Sequence, residues 1–488
     1  IEPQADYTKA IGGGTLTILA GSTLQESIQQ GETISARGYT SDALLENIRS
    51  ATSIDIINSA YSQYKYAALF GRINYVWKEK YIVNLTGRRD GSSRFGPGRQ
   101  FGNFGAAGVA WIFSNESFVK NGLSFLSFGK LRGSYGTTGS DAIGNYQYLN
   151  TFSSTTYPYN GSSGLVLTRL DNPDYSWETN KKLESGIELG FMKDRILFMA
   201  SRYYNESSNQ LVGLPLPVVT GQSSIQYNLP ATVVNKGWEF QLTTTNVKSD
   251  HFKWTTTVNI TLPRNELTEF PNLEAFPVYR NQYKVGESIF IRRTLKSTGV
   301  DPTTGLYAFE DVDGDGSISV VNDGLFLKEI SQRYFGGFGN SISLGGLQVD
   351  FLFQFVEQTG YNYINSFTVP GDFSNQPTAV TSRWQNSGDQ TSIQQYTLIG
   401  SGTGAFINQK FSDKAISDAS FVRLKNISIS WQFPDALLKK VRMQNAKVYL
   451  QGQNLLTFTN YLGMDPENQN VSFLPPLRMV NIGAQITF

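Results

Sequence analysis

Alternation of period two dominates the chain. From Asn426 it reads NISISWQF, which puts Ile427, Ile429, Trp431 and Phe433 on one face of an extended segment and Asn426, Ser428, Ser430 and Gln432 on the other. The same rhythm sets Ala67, Leu69, Gly71, Ile73, Tyr75 and Trp77 against Ala68, Phe70, Arg72, Asn74 and Val76. It recurs in Ile187, Leu189 and Phe191, in Trp254, Val258, Ile260 and Leu262, and in Val349, Phe351, Phe353 and Phe355. Each segment reads as a strand between two solvents, one oily and one wet. Roughly fourteen such strands are predicted, centred near residues 22, 70, 84, 108, 131, 187, 200, 241, 257, 341, 353, 427, 451 and 482.

The connections alternate between short and long. Tight turns are predicted near Lys78-Glu79, Lys193-Asp194, Ser249-Asp250 and Gly345-Gly346, with somewhat longer ones at 115–124 and 434–445. Between them lie Gly/Ser/Asn/Tyr-rich stretches at about 137–180, 206–234, 265–336 and 357–420. Connections of that length are rare in compact soluble domains, whereas short turns on one rim and long loops on the other describe an outer-membrane barrel. The expected fold class is therefore all-β, a transmembrane antiparallel β-barrel with its long loops extracellular. The last strand, with Ile482, Ala484, Ile486 and Phe488 on one face, then descends and leaves the C-terminus periplasmic. Tyr75, Trp77, Tyr81, Trp111, Trp238 and Trp254 fall near strand ends, where interfacial girdles belong, although core packing would also place aromatics there.

Composition narrows the chemistry. In 488 residues, 41 Lys+Arg face 40 Asp+Glu, leaving +1 and no basic field for nucleic acid. The absence of cysteine removes disulfides, thiolate nucleophiles and Cys-ligated metal, and the single histidine, His251, weakens any catalytic triad. No apolar run is long enough for a membrane-spanning helix. A β-strand needs only about ten residues with one apolar face to cross a bilayer, so a membrane stays compatible with this sequence. The start, Ile1-Glu2-Pro3-Gln4, shows no signal-peptide pattern, and a mature or partial chain is expected.

Few motifs suggest chemistry. Asp311, Asp313 and Asp315 sit at alternate positions before Gly316, the spacing of a calcium loop. The twelfth position, where an EF-hand needs Glu, holds Asn322, with Asp323 one place late. A structural calcium ion and a solvated acidic turn held by Asp and Gly preferences are both compatible with this string. Arg88, Arg89, Asp90 and Arg94 cluster at an extracellular strand end, where ion pairing or loop anchoring is expected. Arg72, Lys130 and Arg132 fall on the interior face, opposite Leu131 and Tyr135, and are expected in a network within the wall or with a plug. The loop aromatics Tyr157 and Tyr159, Tyr279 and Tyr283, Tyr361 and Tyr363, and Trp384 could stack on sugar rings, meet a partner or pack on one another. Tyr361, Tyr363 and Trp384 are the candidate ligand or lid contacts. No GxSxG, Walker A or HExxH string occurs, Gly12-Gly13-Gly14 reads as a linker or turn, and neither a catalytic residue nor a catalytic cofactor is expected.

Several strings resemble one family, the SusC/RagA group of TonB-linked outer-membrane transporters of Bacteroidetes. They are NLTGRRDGSSRFG (84–96), FGKLRGSYGTTG (128–139), LPATVVNKGWEF (229–240), GVDPTTGLYAFEDVDGDGSI (299–318), DASFVRLKNIS (418–428), YLQGQNLLT (449–457) and the end from Leu474. The resemblance is to the later part of such a transporter: residues 1–488 correspond to the C-terminal portion of the barrel, with no plug or TonB box legible. About fourteen strands would leave eight of the 22 in plugged transporters to come from further sequence or another chain, since an open sheet this size carries two unpaired edges and an apolar face. The resemblance implies active import of a large nutrient, a glycan or an oligopeptide, as the barrel of a SusCD-type complex. It also implies a SusD-like surface lipoprotein as lid, TonB acting through an N-terminal region, and outer-membrane lipid around the wall. A cell-surface β-rich glycan-binding protein is the alternative; it would have polar faces on both sides of its outer strands and short loops at both ends. An enzyme embedded in a barrel would need a nucleophile and base that are not visible.

Overall fold

The computed structural model describes residues 1–155, 159–160, 162–440, 442–470 and 473–488. Its main sheet holds fifteen strands that follow one another in chain order. They are β1 Gln4–Ile11, β2 Gly14–Arg37, β3 Ser53–Trp77, β4 Tyr81–Ser92, β5 Phe101–Trp111, β6 Leu126–Ser140, β7 Glu178–Phe191, β8 Ile196–Ser208, β9 Thr232–Lys248, β10 Phe252–Glu269, β11 Gln332–Leu344, β12 Leu347–Tyr361, β13 Phe421–Gln432, β14 Asn445–Thr459 and β15 Met479–Thr487. The short strand Ile416–Asp418 pairs beside the end of β12. All fourteen predicted strands are present. The added one, β1, has weak alternation, and its turn into β2 is the Gly12-Gly13 pair read from sequence as a linker or turn.

Contacts divide the chain into two compact units, Ile1–Trp111 with Gly133–Leu183 and Asn205–Thr232, and Ile112–Arg132 with Glu184–Tyr204 and Val233–Phe488. In the first, β2 and β3 form a ladder from Gly14↔Trp77 out to Arg37↔Ser53, far longer than a bilayer needs. The outer half of that ladder is exposed on both faces. Its inner half is two-sided: Leu69 is 67% exposed while its neighbour Ala68 is buried.

In the second unit the register lines up one apolar row. Ile342 pairs with Val349, Val349 with Ile429, Ile429 with Leu450 and Leu450 with Ile482, so one face stays hydrocarbon across five strands. Among the described residues no layer of protein covers its far end, where Ile482 is 84% exposed. Two protein-filled layers would bury both faces; a wall against lipid leaves the apolar one bare, and an Arg or Lys there would cost about 2–4 kcal/mol. Among the described residues no helix is long and apolar enough to cross a membrane.

The turns explain the alternation of loop length. Lys78 and Glu79 both take positive φ in the three-residue connection between the paired Trp77 and Tyr81, as do Met192, Lys193 and Asp194 in the next short turn, the left-handed backbone that tight hairpins use. Rings gather at this end of the strands. In the first unit Trp77, Tyr81 and Trp111 follow at 5.5 and 6.4 Å, and the Trp77 indole N–H donates to the Gly12 carbonyl. In the second, Trp254 donates to Asn340 and Trp431 packs on Phe433 at 4.6 Å. The long loops at the other end carry small hairpins of their own, such as Gln210–Pro215 with Ser224–Leu229.

Candidate functional site at the outer loops

In the second unit, the loops after β10 and β12 share a hydrophobic core above the strands. Tyr307, Phe367, Val380, Ile393 and Phe406 are buried together, with Tyr363 and Ile364 packed against them. Phe367 and Phe406 meet edge to face at 5.0 Å. Burial pushes the Tyr307 phenol up to about 12. The loops are also stitched by main-chain bonds: Gln395 N–H donates to the Gly305 carbonyl, Leu295 N–H to Phe411, and Asp413 N–H to Leu295. Loop ordering on this scale needs such a core, because each fixed residue costs about 1–2 kcal/mol of backbone entropy.

Trp384 belongs to that fabric. Its indole N–H donates to the Pro302 carbonyl at 3.1 Å, and its ring lies on Gly305, where a Cβ would stand 2.5 Å away. Gly305 also has φ +71°, so two independent reasons keep a side chain from that position. Tyr361 is half-buried and its carbonyl accepts the Tyr461 hydroxyl at 2.6 Å, while Tyr363 stacks toward Phe367 at 5.5 Å. Tyr279 and Tyr283 stack on each other at 6.0 Å. Tyr159 is exposed, and Tyr157 lies outside the described residues. The fully exposed apolar side chains of this platform are others: Phe373 at 96% and Ile399 at 86%, with Tyr396 and Leu398 half exposed. Tyr396 carries Arg383 over its ring at 3.6 Å and lines a cleft with Gly371, Gln376, Pro377 and Thr381.

A buried charge cluster pins the loop after β14. Arg423, 1% exposed on β13, donates to Asp465 at 2.5 Å, to Glu467 at 2.6 Å and to the Thr457 hydroxyl at 3.0 Å. Lys425 donates to both Glu467 oxygens, at 3.0 and 3.1 Å, and the Gln358 amide donates to the Pro466 carbonyl. Sequence reasoning passed over Arg423, although it lies in a quoted string. The available signal was an arginine inside an alternating strand together with the acidic pair around Pro466.

Lower on the wall, Lys130 pairs with Glu188 at 3.1 Å, and Arg132 pairs with Glu184 and with Glu188. Gly186 lies between the two glutamates, and a Cβ there would sit 3.0 Å from the Arg132 guanidinium. Leu131 and Tyr135 point to the opposite, exposed face. The cations are thus answered within the wall.

In the first unit, Arg94 lies over the Tyr64 ring at 4.2 Å and donates to the Asp141 carbonyl and to Asn145. The Asp141 carboxylate accepts from the Tyr64 and Ser92 hydroxyls, both at 2.8 Å. Arg88 donates to Asp90 and to Tyr66, and Arg89 lies over Phe101. The basic cluster therefore ties the loop after β6 to β3 and β4. Beside it Phe95, Tyr175 and Trp177 form a second buried core, and burial raises the Tyr175 phenol to about 12.

Asp311, Asp313 and Asp315 are brought within 4.8 Å of one another and are exposed. Asp311 accepts the Gly314 and Gly316 N–H groups, and Asp315 accepts that of Ser317. Asp323, fully buried, closes the turn by accepting from Ser319 and Val312, which holds its carboxyl below the usual carboxylate range.

A strand ladder with one bare apolar face, aromatics at the short turns and ordered long loops define an integral outer-membrane β-barrel chain. Residues 6–455 match the family model described as TonB dependent receptor-like, beta-barrel. The chain belongs to that family, whose barrels reside in the outer membrane. It is 29% identical to TonB-dependent receptor P26 of Formosa agariphila, over 100% of this chain and 53% of that protein. It is 25% identical to the TonB-dependent receptor SusC of Bacteroides thetaiotaomicron, over 94% of this chain and 47% of that protein. Among solved structures, the RagAB peptide importer in its 'open-open' state superimposes with a TM-score of 0.83 at 25% identity, covering 100% of this chain and 54% of that one. The chain spans about half the length of the curated relatives it matches.

Proposed function

We propose that this chain forms the wall and the lid-seating loops of a TonB-dependent importer, working in a SusCD-type complex on a glycan or an oligopeptide too large for passive pores. A SusD-like surface lipoprotein closes over the loops, and TonB supplies force through a region outside these residues. No covalent chemistry enters this mechanism. The observation that carries the reading is the loop core around Phe367 and Phe406, which holds Phe373, Tyr396 and Ile399 out to solvent on an ordered support. Exposed apolar groups on a rigid base suit a protein contact better than isolated surface residues do. In this arrangement Tyr361, Tyr363 and Trp384 contribute to lid or ligand contact by bracing the loops from behind.

For the Asp311–Asp315 turn we infer a self-supporting loop. With one ligand oxygen each, the three carboxylates supply three of the six to eight that calcium prefers, so a bound ion would rely on carbonyls and water for the remainder.

Copurification from native membranes with mass spectrometry tests the complex. A surface lipoprotein is expected in stoichiometric amount, and Phe373→Asp with Ile399→Asp is expected to release it while the barrel still folds. Absence of any lipoprotein from the wild-type complex would replace the lidded importer by a simple receptor.

A further inference from the structure

The connection between β13 and β14 is unlike the tight turns beside it. It contains the short helix Asp435–Lys440, whose Leu438 is buried while Leu437 is 47% exposed. The helix folds back on the apolar face of the sheet. Phe433 continues the Ile427, Ile429, Trp431 face, and its N–H donates to the Ala446 carbonyl, which sets it opposite Ala446; Ala446 in turn pairs with Ile486 and Val448 with Ala484. Between helix and strands lies a groove lined by Phe433, Leu437, Leu438, Met443, Ala446 and Ile486, with Lys440 at its edge. The lining is almost wholly hydrocarbon.

This is the end of the strands that carries the short turns, the periplasmic rim of an outer-membrane barrel, and Gln444 N–H donates there to the Thr487 carbonyl at the foot of β15. The groove is therefore continuous with the lipid-facing wall at the level of the inner leaflet. Its charge is one-sided: Lys439, Lys440 and Arg442 are exposed, and Asp435 is the single acidic residue in the sequence from 434 to 445. A partly exposed leucine, an apolar trough and unanswered cations at an interface suit a molecule with a hydrocarbon tail and an anionic head.

We propose that this groove is a binding site for one anionic glycerophospholipid of the inner leaflet. An acyl chain lies between Leu437 and the Phe433–Ile486 strip, and Lys439, Lys440 and Arg442 hold the phosphate. Three basic groups beside an anionic headgroup make a selective contact out of a trough that alone would accept any lipid. The helix then fixes the depth at which β13 and β14 sit in the bilayer. The inference needs only the outer-membrane location and is independent of what the barrel carries.

The intact receptor in nanodiscs of phosphatidylcholine containing graded phosphatidylglycerol provides the test, with native mass spectrometry counting retained lipid. Wild type is expected to keep phosphatidylglycerol over phosphatidylcholine by at least about tenfold, and Lys439→Gln with Lys440→Gln and Arg442→Gln to lose that preference. Heat-modifiable migration on gels reports that the variant barrel is folded. Equal retention of the two lipids by wild type, or unchanged preference in the folded variant, would overturn the proposal. Selective retention of lipopolysaccharide instead would overturn it as well, since that lipid occupies the other leaflet. The wild-type comparison decides the matter even if the variant does not assemble.

Discussion

Arg423 shows how much one side chain can hold. Its guanidinium is almost sealed from water, with Asp465 and Glu467 as its counter-charges. Removing one member of a buried pair leaves the other desolvated and unanswered, at a cost of about 3–5 kcal/mol. Arg423→Ala is therefore expected to lower stability by about that amount in urea unfolding of the detergent-solubilised receptor, and to open the loop after β14 to protease. Arg423→Met with Asp465→Leu is expected to recover most of it, because Glu467 keeps Lys425. A loss below about 1 kcal/mol for Arg423→Ala would mean that water already screens the pair. Tyr175 presents the opposite case, a buried hydroxyl with no hydrogen-bond partner among the described residues, so its contribution is the ring against Phe95 and not the oxygen.

At the level of elements, strands were legible and loops were not. A period of two survives in any sequence whose faces meet lipid and water, so β2 to β15 could be counted from Ile427 and its like. β1 escaped because Gln4–Ile11 spaces too few apolar residues to stand out. The loop core was illegible for a different reason. Tyr307, Phe367 and Phe406 come from distant points of two loops, and no local spacing links them. The basic cluster at Arg88–Arg94 was readable as loop anchoring because charges at a strand end have few other uses, whereas its partners Asp141 and Asn145 were not.

Asp323 accepts two backbone N–H groups, from Ser319 and Val312, and is held below its unfolded value. A depressed carboxylate contributes stability that is complete above the unfolded value, near pH 4, and fades as the pH falls through the folded one. Proteolysis of residues 311–323 is thus expected to be flat from neutral pH down to about 4 and to rise below it. Asp323→Asn is expected to raise the neutral rate and flatten the acid response. An acid response unchanged in that variant would assign it to another group.

For the whole molecule, the near cancellation of 41 positive by 40 negative residues has a local counterpart in the wall, where Lys130 and Arg132 meet Glu184 and Glu188. In the importer proposed above, a wall whose cations are matched in this way would offer a passing solute many donors and acceptors but little net pull in either direction. Such a wall would sort by shape and hydrogen bonding, and would suit uncharged sugars and zwitterionic peptides alike. Uptake by the intact system is accordingly expected to stay nearly constant over a roughly tenfold rise in ionic strength, where an electrostatically steered channel would slow steeply.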